Sequence, residues 1–136
     1  MGRILGLDYG IKRTGISATD PLQLIVNPLE VVETERLFEY LKKYLTEEDV
    51  DKIVIGKTTH RDGSEMYFEK DIEKLIKDIN ALFPDIVIDR QEEDFTSAEA
   101  QKLLVKMGIK KKKRQDKSLL DKVSAVLILQ RYLNHI

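Results

Sequence analysis

The chain has 136 residues, a formal net charge of −1 and no cysteine. That length suits one domain, 1–136, with a core of its own, and the missing cysteine excludes a disulfide framework, a thiolate metal site and a Cys nucleophile. No charged-then-apolar leader and no bilayer-length apolar run is visible, so the expectation is a cytoplasmic protein with no membrane partner.

The opening segment, Arg3 to Gly15, reads R-I-L-G-L-D-Y-G-I-K-R-T-G. Ile4-Leu5-Gly6-Leu7 is apolar without alternation, which predicts a strand covered on both faces. Asp8 sits where that strand ends, and an ionised carboxylate beside a core needs a cation or donors. Gly10 permits a tight turn, and Thr14 to Ala18 reads as the return strand of a hairpin. The same residues also fit an ordinary hairpin whose Asp stabilises its own turn. Thr19-Asp20-Pro21 is a further turn signal, and Asn27 to Glu33 predicts a third strand, with Pro28 near its start.

Thr34 is positioned to cap a helix running to about Leu45, with Leu37, Tyr40, Leu41 and Tyr44 on one face. Ile53 to Gly56 is a second run of buried-strand type, followed by a polar loop from Lys57 to Ser64. Glu65 to Leu82 has helical period through Phe68, Ile72, Leu75, Ile76 and Ile79, and Pro84 ends it. Ile86-Val87-Ile88 is a third buried-type run, leading into Glu92-Glu93-Asp94. Thr96 or Ser97 caps a helix through Met107, stopped by Gly108. A last helix runs from about Ser118 to Leu133. A hairpin meander followed by alternating helices and strands predicts an α/β fold, a mixed sheet with helices on both faces. Sites in such sheets form beyond the carboxyl ends of parallel strands. If the strands ending at Asp8, Gly56 and Glu92-Glu93 are adjacent and parallel, those groups share one rim.

Asp8, Glu93 and Asp121 are the acids that stand out. Asp121 lies in L-L-D-K-V-S-A-V-L-I-L, near the boundary of the buried helical stripe. Converging carboxylates repel one another unless a cation binds, and hard oxygen donors suit Mg²⁺ or Mn²⁺. Such ions activate water and stabilise the leaving oxygen of a phosphodiester. Taken singly, each acid also fits a surface charge or a helix cap.

Near-neutral net charge conceals a sharp local polarity. Lys102 to Lys117 carries eight basic residues and one acid, Asp116, whereas Asp89 to Glu99 is mostly acidic. Lys110, Lys111, Lys112, Lys113 and Arg114 fit an arm that grips phosphates, or equally a solvated loop. No aromatics interleave them, so base stacking is not indicated. His60 and His135 are too isolated for His-based chemistry, and Ser17, Ser64 and Ser97 lack a nucleophile motif.

These motifs together resemble the YqgF/RuvX family, described as Holliday junction resolvases and as pre-16S rRNA nucleases. The resemblance covers nearly the whole chain. Its most specific part is G-L-D-Y-G-I-K-R-T-G-I-S, Gly6 to Ser17. Ile53 to Gly56 with Asp62-Gly63, Glu92 to Ala100, and Leu119 to Leu133 match three later blocks. The resemblance implies an RNase H-like fold, a five-stranded mixed sheet flanked by helices, and a site using Mg²⁺ or Mn²⁺. It carries catalytic and metal-binding roles onto Asp8, Glu93 and Asp121, and phosphate contact onto Lys12 and Arg13. Thr96 matches a hydroxyl of the third block. The implied partner is structured RNA, namely precursor rRNA, or branched DNA, acted on by a monomer or homodimer.

Two positions depart from the family pattern. Asp94 stands where the family usually has Arg after its central Glu, so an acid replaces a phosphate-binding cation. Gly56-Lys57-Thr58 replaces Gly-x-Pro. Arg90 or the basic loop is the available substitute cation. The expected function is therefore a metal-dependent endonuclease. The alternatives are a Holliday junction resolvase and a nucleic-acid binding module with weakened turnover. A nucleotide-binding protein of the actin/hexokinase type shares the strand-Asp-turn-Gly opening, but this chain is too short for paired domains.

Overall fold

The computed structural model describes residues 2–58, 63–93, 102–103, 105–106, 108 and 117–135, with side chains for 2–57, 69–92, 102–103, 105–106, 108 and 122–135. β1 (Arg3–Asp8), β2 (Arg13–Thr19) and β3 (Val26–Glu33) form an antiparallel meander. A three-residue 3-10 turn, Thr34–Arg36, leads into α1 (Leu37–Glu47). β4 (Val50–Thr58), α2 (Gly63–Leu82), β5 (Val87–Glu93) and α3 (Lys117–Tyr132) follow. The sheet order is β3-β2-β1-β4-β5. β1, β4 and β5 are adjacent and mutually parallel, the condition on which the shared rim depended.

Strand alternation divides β1 between two layers. Leu5 and Leu7 join Ile16, Ile53 and Ile55 under α1 and α2, where Leu37, Leu41, Leu45, Ile72, Leu75 and Ile79 are buried. Ile4 and Val54 face the other way and pack against Ile128 and Leu129 of α3. Both faces of β1 are covered, as its unbroken apolar run requires.

The closest approach in the sheet–helix packing is at Gly6. A Cβ there would lie 2.6 Å from both Leu129 Cγ and Ser17 Oγ, and 3.0 Å from the Ala125 carbonyl oxygen. Ser17, the cross-strand partner of Gly6, donates its hydroxyl to the Ala125 carbonyl at 2.7 Å. Small side chains thus let the helix backbone rest directly on β1 and β2. At the far end of α3, Tyr132 donates its phenol to Asp89 Oδ2 at 2.5 Å and lies under the Lys52 ammonium. Lys52 pairs with Ile4, two residues before Gly6. The helix therefore crosses the sheet, from Ala125 at Gly6 of β1 to Tyr132 at Asp89 of β5, two positions level in the strand register.

Three expectations need correction. Ile86-Val87-Ile88 is not a run buried on both faces: β5 is an edge strand, and Val87 is 49% exposed. Thr34 does not cap α1; neither the 3-10 turn nor α1 has a side-chain cap. α2 begins at Gly63, two residues before the expected start. The Thr96 or Ser97 cap lies outside the described residues. Gly108 fulfils its role as a stop, with φ +75° and its N–H donating to the Val105 carbonyl at 3.0 Å.

The β2–β3 connection is organised by Asp20. Its carboxylate accepts the N–H groups of Leu24 and Ile25, both at 2.7 Å, and of Leu22 at 3.2 Å. The loop holds Gln23 at φ +60° and leaves Leu22, Leu24 and Ile25 exposed. The Ile25 bond leads in holding the Asp20 carboxyl below the usual carboxylate range.

Two outcomes follow from this packing. Gly6→Ala forces α3 off the sheet and lowers stability by about 1–3 kcal/mol, read from urea unfolding. Asp20 has a depressed folded pKa, so its contribution is present above the unfolded value near about 3.9 and is lost as pH falls through the lower folded value. Asp20→Asn therefore flattens the acid limb of the stability–pH curve, measurable by thermal melts between neutral and strongly acidic pH.

Candidate active site

Asp8 ends β1, pairs across the hairpin with Gly15 and is half-buried. By alternation it shares the α3 face with Ile4 and Gly6, while Leu7 and Tyr9 turn to the opposite layer. Burial raises the Tyr9 phenol above its ordinary pKa, and the Asp71 charge adds to the effect. One strand end therefore anchors an aromatic in the core and delivers a carboxylate to the rim.

The register relates the other two acids to Asp8. Leu7 pairs with Ile55, Gly56 with Gln91, and Thr58 with Glu93. Glu93 thus ends β5 in the same alternation as Asp89, which faces Tyr132 of α3. It stands two strands from Asp8, about 9.6 Å across the sheet, and two residues, about 6.6 Å, further along the strands, with Gly56 of the intervening strand level with Asp8. Asp121 is one helical turn before Ala125, about 6 Å along α3. Asp8 is two residues past Gly6, about 6.6 Å along β1. Ala125 rests over Gly6, so α3, which carries Asp121, lies on the face of the sheet that Asp8 takes. The Glu93 and Asp121 side chains lie outside the described residues, as do Asp94, Thr96 and the basic run Lys110, Lys111, Lys112, Lys113 and Arg114. Among the described residues, no three His, Cys, Asp or Glu side chains form a metal-binding group.

The basic turn overhangs this rim. Arg13 pairs with Glu33 and falls in the alternation of Gly15 and Ser17, on the α3 face with Asp8. Lys12 and Arg13 are exposed, and with Ile11, Glu33 and Glu35 they line a concavity of about 520 Å³.

The suggested replacement for the cation lost at Asp94 is engaged elsewhere. Arg90 makes a bidentate pair with Glu69 of α2, at 2.8 and 2.9 Å. It also donates to the main-chain carbonyls of Ile55 at 3.2 Å and Gly56 at 2.9 Å. Its place in β5 alternates with Asp89, so it serves the α2 side of the sheet, away from Asp8. Arg90 is a clamp on the end of β4, and one strand parity separates that role from the one expected. The hydrogen bond from Arg90 is the main cause of the lowered Glu69 pKa.

A family model described as RuvX, Holliday junction resolvase, matches residues 2–135. The chain belongs to the RuvX family. It is 43% identical over 133 residues to the pre-16S rRNA nuclease of Parabacteroides distasonis, covering 98% of this chain and 95% of that protein. Its identity to the protein of the same name from Flavobacterium psychrophilum is 41% over 133 residues, covering 98% of this chain and 97% of that protein. Among solved structures it is similar to Thermus thermophilus RuvC in complex with a Holliday junction substrate. That likeness has a TM-score of 0.64 at 15% identity, over 98% of this chain and 96% of that one. The Fowlpox virus resolvase, solved with Holliday junction DNA, gives a TM-score of 0.60 at 13% identity, over 98% and 97%. The RuvX chain has the RNase H-like fold of these neighbours. No helix among its described residues is long and apolar enough to cross a membrane.

Two contributors were not visible as such in the sequence. Glu69 looked like one of many helical surface acids, and only the β4–β5 register reveals its pairing with Arg90. Thr34 carried a capping signal, yet its hydroxyl is used on the β1–β2 turn, donating to the Gly10 carbonyl at 2.6 Å. Replacing Glu69 with Gln weakens the clamp and lowers the melting temperature, while RNA affinity stays at the wild-type value. Glu69 has a depressed folded pKa, so its stabilisation holds above the unfolded carboxylate value and disappears as pH falls through the folded one. The melting-temperature difference between wild type and Glu69→Gln should accordingly close on acidification.

Proposed function

We propose that this RuvX chain is a metal-dependent endonuclease acting on structured precursor rRNA, in 5′-end maturation of the small-subunit rRNA. The observation that carries this is the strand register. The ends of β1 and β5 lie on one rim of the parallel strands, α3 packs on the face that Asp8 takes, and each of these elements carries an acid that the motifs single out. The relatives at 41–43% identity carry the pre-16S rRNA nuclease name, which favours RNA over a DNA junction.

In this reading Asp8, Glu93 and Asp121 hold Mg²⁺ or Mn²⁺. When bound, such an ion supplies an activated water and neutralises charge on the scissile phosphate. Lys12 and Arg13 bind the backbone beside that phosphate, and Lys110, Lys111, Lys112, Lys113 and Arg114 bind it further along. Asp8 is half-buried at the end of β1, which limits water around its carboxylate and strengthens its interaction with a cation.

A second function has its own support: binding without turnover. Asp94 places a negative charge beside Glu93, and Arg90 is committed to Glu69 on the opposite side of the sheet. Nothing on β5 then compensates the repulsion Asp94 exerts on a phosphate.

Wild type and Asp8→Asn, incubated with a precursor rRNA fragment and a DNA four-way junction in Mn²⁺, separate these functions. The expected result is RNA cleavage that EDTA abolishes and that Asp8→Asn reduces about a hundredfold or more, with RNA affinity retained. Preferred cutting of the junction makes the protein a resolvase. Salt-sensitive RNA binding with no cleavage at any metal concentration establishes the binding module.

A further inference from the structure

The turn that presents Lys12 and Arg13 is secured by a residue of another segment. Thr34 follows the last residue of β3. Its N–H donates to the Lys12 carbonyl at 2.9 Å, and its hydroxyl donates to the Gly10 carbonyl at 2.6 Å. With its own proton used on Gly10, Thr34 Oγ1 accepts from the hydroxyl of Thr14, 3.0 Å away and fully buried. The two carbonyls that flank Ile11 are thus tied to one residue. Gly10 tightens the turn further, since a Cβ there would lie 2.5 Å from the Arg13 carbonyl oxygen.

The sheet does not need this arrangement. β1 and β2 pair as far as Asp8–Gly15, and β2 and β3 as far as Arg13–Glu33, through their own ladders. The Thr34 hydroxyl donates to Gly10, between those pairs, and accepts from Thr14 at the start of β2. The residues between those pairs include exposed Lys12, and the turn hands directly into exposed Arg13. A loop carrying long cationic side chains loses entropy when it binds, and a loop already fixed avoids much of that loss.

We propose that Thr34 is a positioning residue for nucleic-acid binding, holding the Gly10–Lys12 turn so that Lys12 and Arg13 meet a backbone phosphate without prior ordering. This rests on the proposal that the basic turn contacts substrate phosphate. It requires no contact between Thr34 and the substrate.

The test compares wild type, Thr34→Val, Thr34→Ser and Lys12→Ala/Arg13→Ala by fluorescence anisotropy. The probe is a labelled precursor rRNA fragment, titrated without divalent metal at several salt concentrations. Valine keeps the β-branched shape and the backbone N–H and removes only the hydroxyl. Thr34→Val is expected to bind about three- to tenfold more weakly, with a shallower salt dependence approaching that of the double variant. Thr34→Ser should match wild type. Amide exchange should accelerate at Ile11 and Lys12 in Thr34→Val while the β1 and β4 amides stay protected, which separates a loosened turn from a destabilised fold. Wild-type affinity and salt slope in Thr34→Val overturn the proposal, as does equal weakening in Thr34→Ser or exchange that accelerates throughout the sheet. If Lys12→Ala/Arg13→Ala itself leaves affinity and slope unchanged, the phosphate role of the turn fails first, and Thr34 has nothing to position.

Discussion

The seating of α3 on the Gly6–Ser17 pair fixes how the last helix of this RuvX protein lies on its sheet. Helix and sheet usually meet through interdigitated side chains at about 10 Å. Here glycine on one strand and serine on the next let the helix backbone come closer, and the Ser17 hydroxyl bonds directly to the Ala125 carbonyl. That contact sets the height of α3 along the strands, while the Tyr132–Asp89 bond and the Lys52 contact set its direction. A one-turn slip would move Asp121 by about 5.4 Å relative to Asp8, and would also cost the Ser17 bond and the Leu129 packing.

Charge at the rim is arranged by strand parity. Asp8 and Arg13 share the α3 face, so the carboxylate and the basic turn look toward the same solvent. Arg90, equally close along the chain to the β5 acids, has the opposite parity and is consumed by Glu69 and two carbonyls of β4. Its guanidinium stiffens the end of the strand lying between Asp8 and Glu93. Arg90 thus supports the rim from behind. Among the described residues of the hairpin, Arg13 is the cation that takes the face of Asp8.

Much of this was legible in the residues themselves. Ile4-Leu5-Gly6-Leu7 announced a strand covered on both sides, and it is covered by α1 and α2 on one face and α3 on the other. Asp8 at a strand end, Gly10 in a tight turn and Gly108 as a helix stop all followed from local chemistry. The misread segments share one property, which is that their outcome depends on a distant partner. Ile86-Val87-Ile88 has the composition of a central strand, but its exposure is decided by being fifth in the order. Thr34 has the composition of a cap, but the Gly10 carbonyl, 24 residues away, takes its proton.

Local sequence carries the kinds of element, their order, and which acids and bases stand at their ends. Hydrophobic period, turn residues and helix stops act over a few neighbouring positions, so they can be read without the fold. Which strands are neighbours, which face each described charged residue takes and where α3 rests on the sheet are settled by long-range packing. Those outcomes rest on contacts such as Ser17 with Ala125, 108 residues apart, and on the parity of a strand register. A shift of one residue reverses that parity and leaves the composition unchanged.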